Sequence, residues 1–164
     1  MIIEYEEKYL EDVKDLLVEL EEYILTIDED HLDQLHPDYR DKMTELDLQE
    51  VKDYEGECYL YIENKKAVGL IMGKIRQYDP YDYLDYTCPK GGIVTELIIS
   101  KNNRGKGIGQ KLMTKMESYF LEKGCSYIYI NVFAYNENAI QFYAKKGYHN
   151  RMHTVVKKIK TEDS

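Results

Sequence analysis

The sequence predicts an α/β protein in which a mixed central β-sheet is flanked by helices. Segments with apolar residues at helical spacing alternate along the chain with short apolar segments bounded by turn residues. A strand, a helical segment and a second strand follow one another across residues 91–132, an order that implies two parallel neighbouring strands. No repeat or Pro/Gly/Ser-rich linker divides the chain, and we therefore expect a single domain over residues 1–164.

The first half of the chain is predicted to contain one strand, two helices and a hairpin. Residues 2–5, IIEY, are a short strand, and helical spacing begins near Lys8. Pro37 is well placed to begin a second helix. Residues 57–76 alternate as two strands around a turn. The first helix carries an apolar stripe, formed by Val13, Leu16, Leu17, Leu20, Ile24 and Ile27.

The centre of the chain is predicted to contain a buried strand and a helix. Residues 92–100, GIVTELIIS, are apolar enough for a strand that is covered on both faces. A helix follows the glycines of the next turn, and Gly124 is suited to end it in a left-handed conformation. Its apolar stripe consists of Ile108, Leu112, Met116, Tyr119 and Phe120.

The last third of the chain predicts a strand, a short helix and a closing strand. Residues 127–133, YIYINVF, have strand composition. The helix begins near Asn136 and ends at Gly147. Residues 152–159, MHTVVKKI, are predicted to close the chain as a further strand.

Composition excludes several classes of protein. No apolar segment reaches the roughly 20 residues that span a bilayer, and the N-terminal residues do not have the pattern of a signal peptide. Cys58, Cys88 and Cys125 form no C-x-x-C pair, which favours reduced thiols in the cytoplasm and no metal site. We therefore expect a cytoplasmic protein without a membrane partner.

The charge is unevenly distributed. Residues 1–55 carry 20 acidic and 5 basic side chains, whereas residues 56–164 carry 11 acidic and 17 basic side chains. Because phosphate contacts require cations, the acidic part argues against nucleic-acid binding and is compatible with a cationic partner. The alternative is an uneven soluble surface without a partner.

The stretch RGKGIG at residues 104–109 is the strongest functional signal. It lacks the spacing of a P-loop and the position of a dinucleotide-binding motif after the first strand. A strand, a basic loop, glycines and a helix N-terminus nevertheless form an anion site, and a pyrophosphate uses several backbone N–H donors at once. The alternative is that these glycines only form a tight turn between strand and helix.

Two motifs together resemble the GNAT superfamily of N-acetyltransferases. The first is Arg/Gln-x-x-Gly-x-Gly/Ala after a hydrophobic strand, matched by Arg104, Gly107 and Gly109. The second lies about 30 residues further on, and its positions are occupied by Asn136, Ala139, Ile140, Tyr143, Gly147 and Tyr148. The resemblance implies the acyl-CoA N-acyltransferase fold and acetyl-CoA as co-substrate.

The resemblance also implies which residues bind acetyl-CoA. The backbone of the central strand binds the pantetheine arm like an added strand, and the loop binds the pyrophosphate through main-chain N–H groups. A bulge in that strand commonly directs an N–H group at the thioester oxygen. Asn136 matches a side chain near the cofactor, although Asn at this position is equally a good helix N-cap. The implied residues are Leu97, Ile98, Ile99, Arg104, Gly105, Lys106, Gly107, Ile108 and Gly109.

Two catalytic residues are implied. Tyr143 matches the tyrosine that commonly donates a proton to the departing thiolate, and the alternative for it is core packing. Glu96 lies in the apolar central strand, where some members carry their general base, and its pKa should be raised by that environment. The alternative is that Glu96 faces solvent or pairs with a basic neighbour. Other members carry a glutamate where this chain has Asn131, so the base is predicted to be Glu96 or a water molecule.

Two segments are expected to shape the acceptor site, residues 26–39 and residues 77–92. The second contains aspartates and tyrosines, which suit a cationic amine through charge and cation–π contacts. The predicted acceptor is therefore a small molecule or peptide with a primary amine and positive charge. The alternative is a solvated edge of the sheet, and the resemblance allows a homodimer because dimers are frequent in the family.

We predict direct attack of the amine on acetyl-CoA without a covalent enzyme intermediate. The alternative function is a non-catalytic module on the same fold that binds CoA or a protein partner. A third interpretation, an ATP-binding protein, predicts stabilisation by nucleotide and little response to CoA.

Overall fold

The computed structural model describes residues 1–160, which divide into two compact units, the first Met1–Asn131 and the second beginning at Val132. The first unit holds every strand of the described residues. Its elements in chain order are β1 (Ile2–Glu4), α1 (Leu10–Ile27), α2 (Tyr39–Asp53), β2 (Glu57–Glu63), β3 (Lys66–Ile75), α3 (Asp82–Asp85), β4 (Gly91–Ile99), α4 (Ile108–Glu122) and β5 (Tyr127–Ile130). The second unit contains α5 (Glu137–Lys145). The single-domain organisation stays a prediction.

The predicted mixed sheet is confirmed. Its five strands lie in the order β1-β2-β3-β4-β5, with antiparallel pairing from β1 to β4 and parallel pairing between β4 and β5. The hairpin and the parallel pair were both expected from the sequence. A parallel pair needs a crossover, and α4 supplies it.

A β-bulge in β4 sets the direction of Glu96. Met72 of β3 pairs with Glu96 and the next residue, Gly73, pairs with Val94, so Thr95 is the extra residue on β4. Side chains two residues apart on a regular strand share a face, but the bulge moves Val94 and Glu96 to opposite faces. Glu96 therefore shares a face with Met72, which packs against α1.

Helices cover both faces of the sheet in the first unit. On one face, Val13, Leu16 and Leu17 of α1 pack with Leu60 and Met72, all 3% exposed or less. On the other face, the apolar stripe of α4 is buried, and Met113 belongs to it as well. The predicted stripes of both helices face the core, although four of their residues are only half-buried, namely Leu20, Ile24, Ile27 and Tyr119.

Phe120 lies where β4 has no side chain. A Cβ added at Gly92 would meet ring atoms of Phe120 at 2.4 Å, and Phe120 is 0% exposed. We expect Gly92→Ala to lower the free energy of unfolding by about 2 kcal/mol because the ring has no space to move into. Chemical denaturation measures this loss.

The matched test of that clash is the double variant. Phe120→Leu alone should also lower the free energy of unfolding. The loss in the double variant, Gly92→Ala with Phe120→Leu, should be smaller than the sum of the two single losses. Additive losses, or an unchanged midpoint for Gly92→Ala, would contradict the packing argument.

Two predicted elements differ from the structure. The closing strand at residues 152–159 is wrong: residues 148–160 form no helix or strand and are largely exposed, with Val155 at 91%. Alternation of apolar residues is not sufficient for a strand, because a strand also needs a partner for its backbone. The strand predicted at 127–133 ends at Ile130, and the segment 77–92 contains the single-turn helix α3.

Two predictions about helix ends are confirmed. Helix α4 ends at Glu122, and Gly124 follows in the left-handed region with φ +79°. Helix α2 begins two residues after Pro37.

None of the helices within residues 1–160 combines the length and the apolar character that crossing a bilayer requires.

Candidate functional site

The glycine turn leads directly into α4. Gly105 and Gly107 adopt φ values of +77° and +75°, and Gly107 is the N-cap of α4. A Cβ added at either glycine would meet nothing within 4 Å, so the turn is open to a ligand. Within residues 1–160, the N–H groups of residues 105–110 donate to no protein acceptor. Unpaired donors at a helix N-terminus are suited to a pyrophosphate.

The basic side chains of this turn are held by glutamates. Arg104 Nη2 lies 3.5 Å from Glu19, and its Nε donates to the carbonyl of Ile99 at 3.0 Å. Lys106 Nζ lies 3.9 Å from Glu63. All of these groups are partly exposed, so the ion pairs contribute little stability and can open for an anion.

The central strand β4 is paired on one edge only over its second half. Leu97, Ile98 and Ile99 pair with β3, whereas the pairing with β5 covers Gly91 to Val94 and goes no further. Backbone groups on the β5 side of residues 95–99 therefore face no strand of the described chain. An extended ligand could pair there like an added strand.

Two carboxylates from different helices, Asp47 and Glu21, lie near Glu96. Burial first, and then the charges of Asp47 and Glu21, raise the pKa of Glu96 to about 8. Burial and the charge of Glu50 raise the pKa of Asp47 to about 6. Asp47 Oδ2 is buried without a hydrogen-bond partner among residues 1–160. We call Glu21, Asp47 and Glu96 the carboxylate cluster.

Tyr39 completes this cluster. Its hydroxyl donates to Glu21, and burial together with the neighbouring carboxylates raises the pKa of the Tyr39 phenol. The cluster therefore joins α1, α2 and β4, and it lies on the face to which the bulge directs Glu96. A group of half-buried carboxyl groups binds a cation more readily than an anion.

The segment 77–92 was predicted to bind a cationic acceptor, but two of its aromatic rings already contact a cation of the chain itself. The guanidinium of Arg76 already lies over the rings of Tyr129, Tyr78 and Tyr86, at 4.1, 4.9 and 5.6 Å from the centroids. Asp79 accepts from the N–H groups of Tyr81 and Asp82, and Asp82 accepts from the N–H of Asp79. These carboxylates stabilise the turn.

The segment 26–39 is likewise organised by its own acid. Asp28 is 4% exposed and accepts from the N–H groups of Asp30, Leu32 and Asp33, at 3.1, 2.6 and 2.8 Å. These hydrogen bonds lower the pKa of Asp28. Both carboxylate oxygens of Asp28 thus stabilise the turn between α1 and α2.

Asn136 and Tyr143 belong to the second unit. Asn136 caps α5, since its Oδ1 accepts from the N–H of Ala139 at 3.2 Å. Tyr143 is half-buried on α5, with its ring 5.2 Å from that of Phe142 and 5.8 Å from that of Tyr148. The capping role of Asn136 is confirmed, and the catalytic role of Tyr143 stays a prediction.

Several residues of the site carried no signal in the sequence. Asp47 and Glu21 are ordinary members of an acidic segment, and only the packing of α1, α2 and β4 brings them to Glu96. The bulge at Thr95 has no sequence signature either. Arg76 could have been noticed as a single cation next to an aromatic segment.

Comparison with known proteins adds a family match. Residues 23–148 match the family model described as the acetyltransferase (GNAT) family, and this range spans more than half of the chain.

Among residues 1–160, no group of three or more His, Cys, Asp or Glu side chains is arranged to hold a metal ion.

Two curated relatives and one solved structure illustrate the similarity. The chain is 26% identical over 91 residues to N-alpha-acetyltransferase MAK3 of Arabidopsis thaliana, covering 56% of this chain and 44% of that protein. It is 31% identical over 67 residues to thialysine N-epsilon-acetyltransferase of Bos taurus, covering 40% and 39%. The chain thus spans less than half the length of these two relatives.

The structural similarity covers nearly the whole chain. A crystal structure of the BH1408 protein from Bacillus halodurans, in a mutant form, superposes with a TM-score of 0.83 at 17% identity, covering 97% of this chain and 99% of that chain. At this level of identity, the similarity establishes a shared fold.

Proposed function

The chain belongs to the GNAT family of acetyltransferases, and from this premise we propose that it transfers the acetyl group of acetyl-CoA to a primary amine. The acceptor is a small molecule or peptide that carries positive charge at its reactive end. The observation that carries the proposal is the carboxylate cluster, in which Glu96 has a pKa of about 8.

Acetyl-CoA binding is supported by two features of the first unit. The N–H groups of residues 105–110 are suited to the pyrophosphate, and the edge of residues 95–99 that pairs with no strand of the described chain is suited to the pantetheine arm. The two features adjoin in sequence, since the strand leads into the turn. When bound, acetyl-CoA supplies the activated acyl group, and the chain supplies binding and proton transfer.

Glu96 is proposed as the general base, directly or through water. An amine attacks only in its neutral form, so an ammonium must first lose a proton. A carboxylate with a pKa of about 8 is a stronger base than an ordinary one and is charged in an appreciable fraction near neutrality. The nearby bulge at Thr95 takes backbone groups out of the regular ladder, which supports a donor to the thioester oxygen.

The carboxylate cluster also supports a cationic acceptor. An approaching ammonium relieves the repulsion among Glu21, Asp47 and Glu96 and gives the buried Asp47 Oδ2 a donor. The names of the two curated relatives describe acetylation of amines, one at an N-alpha and one at an N-epsilon position. The cluster is therefore proposed to attract the acceptor and then to accept its proton.

Tyr143 is proposed as the general acid. A phenol with a pKa of about 10 donates a proton to a thiolate whose conjugate acid has a pKa near 8.5 at a modest cost. The support for this role is its position in the second motif. The homodimer and the cytoplasmic location stay predictions from the sequence.

The experiment that tests the proposal is thiol release from acetyl-CoA by the purified chain with a panel of primary amines. We expect turnover with cationic amines and saturation by acetyl-CoA. CoA binding without turnover on any amine would support the non-catalytic module instead. Stabilisation by ATP and not by CoA would contradict both.

A further inference from the structure

Arg76 follows β3 and is held in place by three tyrosines. Its guanidinium lies 4.1 Å from the ring centroid of Tyr129, 4.9 Å from that of Tyr78 and 5.6 Å from that of Tyr86. The rings are themselves fixed, because the hydroxyls of Tyr86 and Tyr129 are 2.5 Å apart and Tyr78 donates to the carbonyl of Pro89 at 2.7 Å. We call these three rings the tyrosine cage.

The cage contacts the guanidinium but leaves its hydrogen-bond donors unused. Within residues 1–160, the guanidinium of Arg76 makes no hydrogen bond and no ion pair, in contrast to that of Arg40, which binds Glu11 and Asp15. The nearby carboxylates of Asp79 and Asp82 accept from backbone N–H groups of their own turn. Aromatic rings interact with the charge, whereas the five N–H groups need an acceptor in their plane.

The geometry of the sheet places Arg76 on the face that carries Glu96. The N–H of Arg76 donates to the carbonyl of Gly91 at 2.8 Å, so the pairing with β4 continues through this residue. Arg76 is four residues from Met72, and Met72 pairs with Glu96. An even number of residues along a strand returns to the same face, and four residues span about 13 Å.

That spacing limits the ligand. Because the two strand positions are about 13 Å apart, a ligand that contacts both side chains needs its amine and its anionic group several bonds apart. A planar anion suits a fixed guanidinium because the two bind through a pair of parallel hydrogen bonds. A purely cationic ligand would be repelled by Arg76.

We propose that Arg76 binds the carboxylate of a zwitterionic acceptor whose primary amine reacts at Glu96. The acceptor is an amino acid or a short peptide whose carboxylate lies several bonds from the reactive amine, as with a terminal side-chain amine. The inference rests on the proposed function and adds a second point of recognition. The carboxylate cluster binds the ammonium end, and the caged guanidinium binds the other end.

The test uses two probes that differ in one group, Nα-acetyl-L-lysine and its C-terminal amide. Both present the same side-chain amine, but only the first carries a carboxylate. We expect the wild-type chain to acetylate the acid with a kcat/KM about 10- to 100-fold higher than the amide, mainly through KM. Arg76→Gln should remove this preference by raising KM for the acid, and leave the amide unchanged.

Control variants separate recognition from folding. Arg40→Gln removes a guanidinium from a surface ion-pair network and should preserve the preference for the acid. Arg76→Lys keeps the charge without the planar pair of donors and should retain only part of it. The affinity for acetyl-CoA, measured by calorimetry, should be the same in all of these variants. Equal kcat/KM for acid and amide in the wild type would overturn the inference.

Failure of the proposed function gives a different result. If no amine releases thiol, calorimetric titration of the acid probe into the CoA-bound chain still tests Arg76. Binding by the wild type that Arg76→Gln weakens at least tenfold supports the inference without turnover. No binding, or equal binding by the two proteins, overturns it.

Discussion

Replacing Glu96 with glutamine is expected to lower kcat/KM by about 10²- to 10³-fold, because the variant keeps the shape of the side chain but cannot accept a proton. Steady-state thiol release measures the loss. The affinity for acetyl-CoA should change little, since the turn and the strand edge proposed to bind it are intact. A loss of this size is in the lower half of the roughly 10²- to 10⁴-fold that general acid–base catalysis contributes.

The pH dependence sharpens this expectation. The pKa of Glu96 is about 8 because of burial and the charges of Asp47 and Glu21, so the side chain is mostly protonated below that pH. The wild-type kcat/KM should therefore rise with pH through about 8, since this profile reports groups of the free enzyme. Glu96→Gln should lack this rise and keep only the titration of the amine.

The same pKa shift has a consequence for stability. A carboxyl whose folded-state pKa lies above its unfolded value near 4.3 binds its proton more tightly in the folded chain. Wild-type stability should therefore decrease as the pH rises from about 4 to about 8. Glu96→Gln has no such proton to lose, so its stability should fall less over this range in chemical denaturation.

A matched control is available on α2. Glu45 is exposed, and Glu45→Gln makes the same chemical change outside the carboxylate cluster. It should leave both the activity and the pH profile unchanged. Full activity of Glu96→Gln with an unaltered pH profile would exclude Glu96 as the base and leave water, ordered by other groups, in that role.

Replacing Tyr143 with phenylalanine is expected to lower kcat by about 10²-fold while the affinity for acetyl-CoA stays the same. The variant removes only the hydroxyl, so the ring contacts with Phe142 and Tyr148 remain. Without a proton donor, CoA must leave as a thiolate, which raises the barrier of the step in which the thioester bond breaks. Rapid-quench measurement of a single turnover reports this step directly.

Tyr148→Phe is the matched control for Tyr143→Phe. Its ring also packs against Tyr143, and the motif requires only an aromatic residue at this position. It should retain most of the activity. Equal activity of the wild type and the Tyr143 variant in single-turnover experiments would assign Tyr143 to packing, the role that a chain with 17 tyrosines makes common.

The sequence was sufficient for the fold class and for the glycine turn that precedes α4. Helical and alternating spacings predicted α1, the β2–β3 hairpin, β4 and α4, because burial of an apolar face is written directly into residue order. The spacing of Arg104, Gly107 and Gly109 predicted the turn, because a left-handed residue and a helix N-terminus are local properties of the backbone.

Local pattern was insufficient where a second element decides the outcome. Residues 152–159 alternate like a strand but do not form one, because a strand exists only where another backbone satisfies its hydrogen bonds. The aromatic segment 77–92 had the composition of a cation site, yet the chain's own Arg76 lies on its rings. In each case the outcome depends on a residue or strand that lies outside the segment.

Tertiary structure alone decided the chemistry at Glu96. The sequence placed a glutamate in an apolar strand and predicted a raised pKa, but the direction of its side chain depends on the bulge at Thr95. The size of the shift depends on Glu21 and Asp47, which are far from Glu96 in sequence. Residue order determines which groups a strand carries, whereas packing of helices on the sheet determines which charges share a low-dielectric space and how strongly each holds its proton.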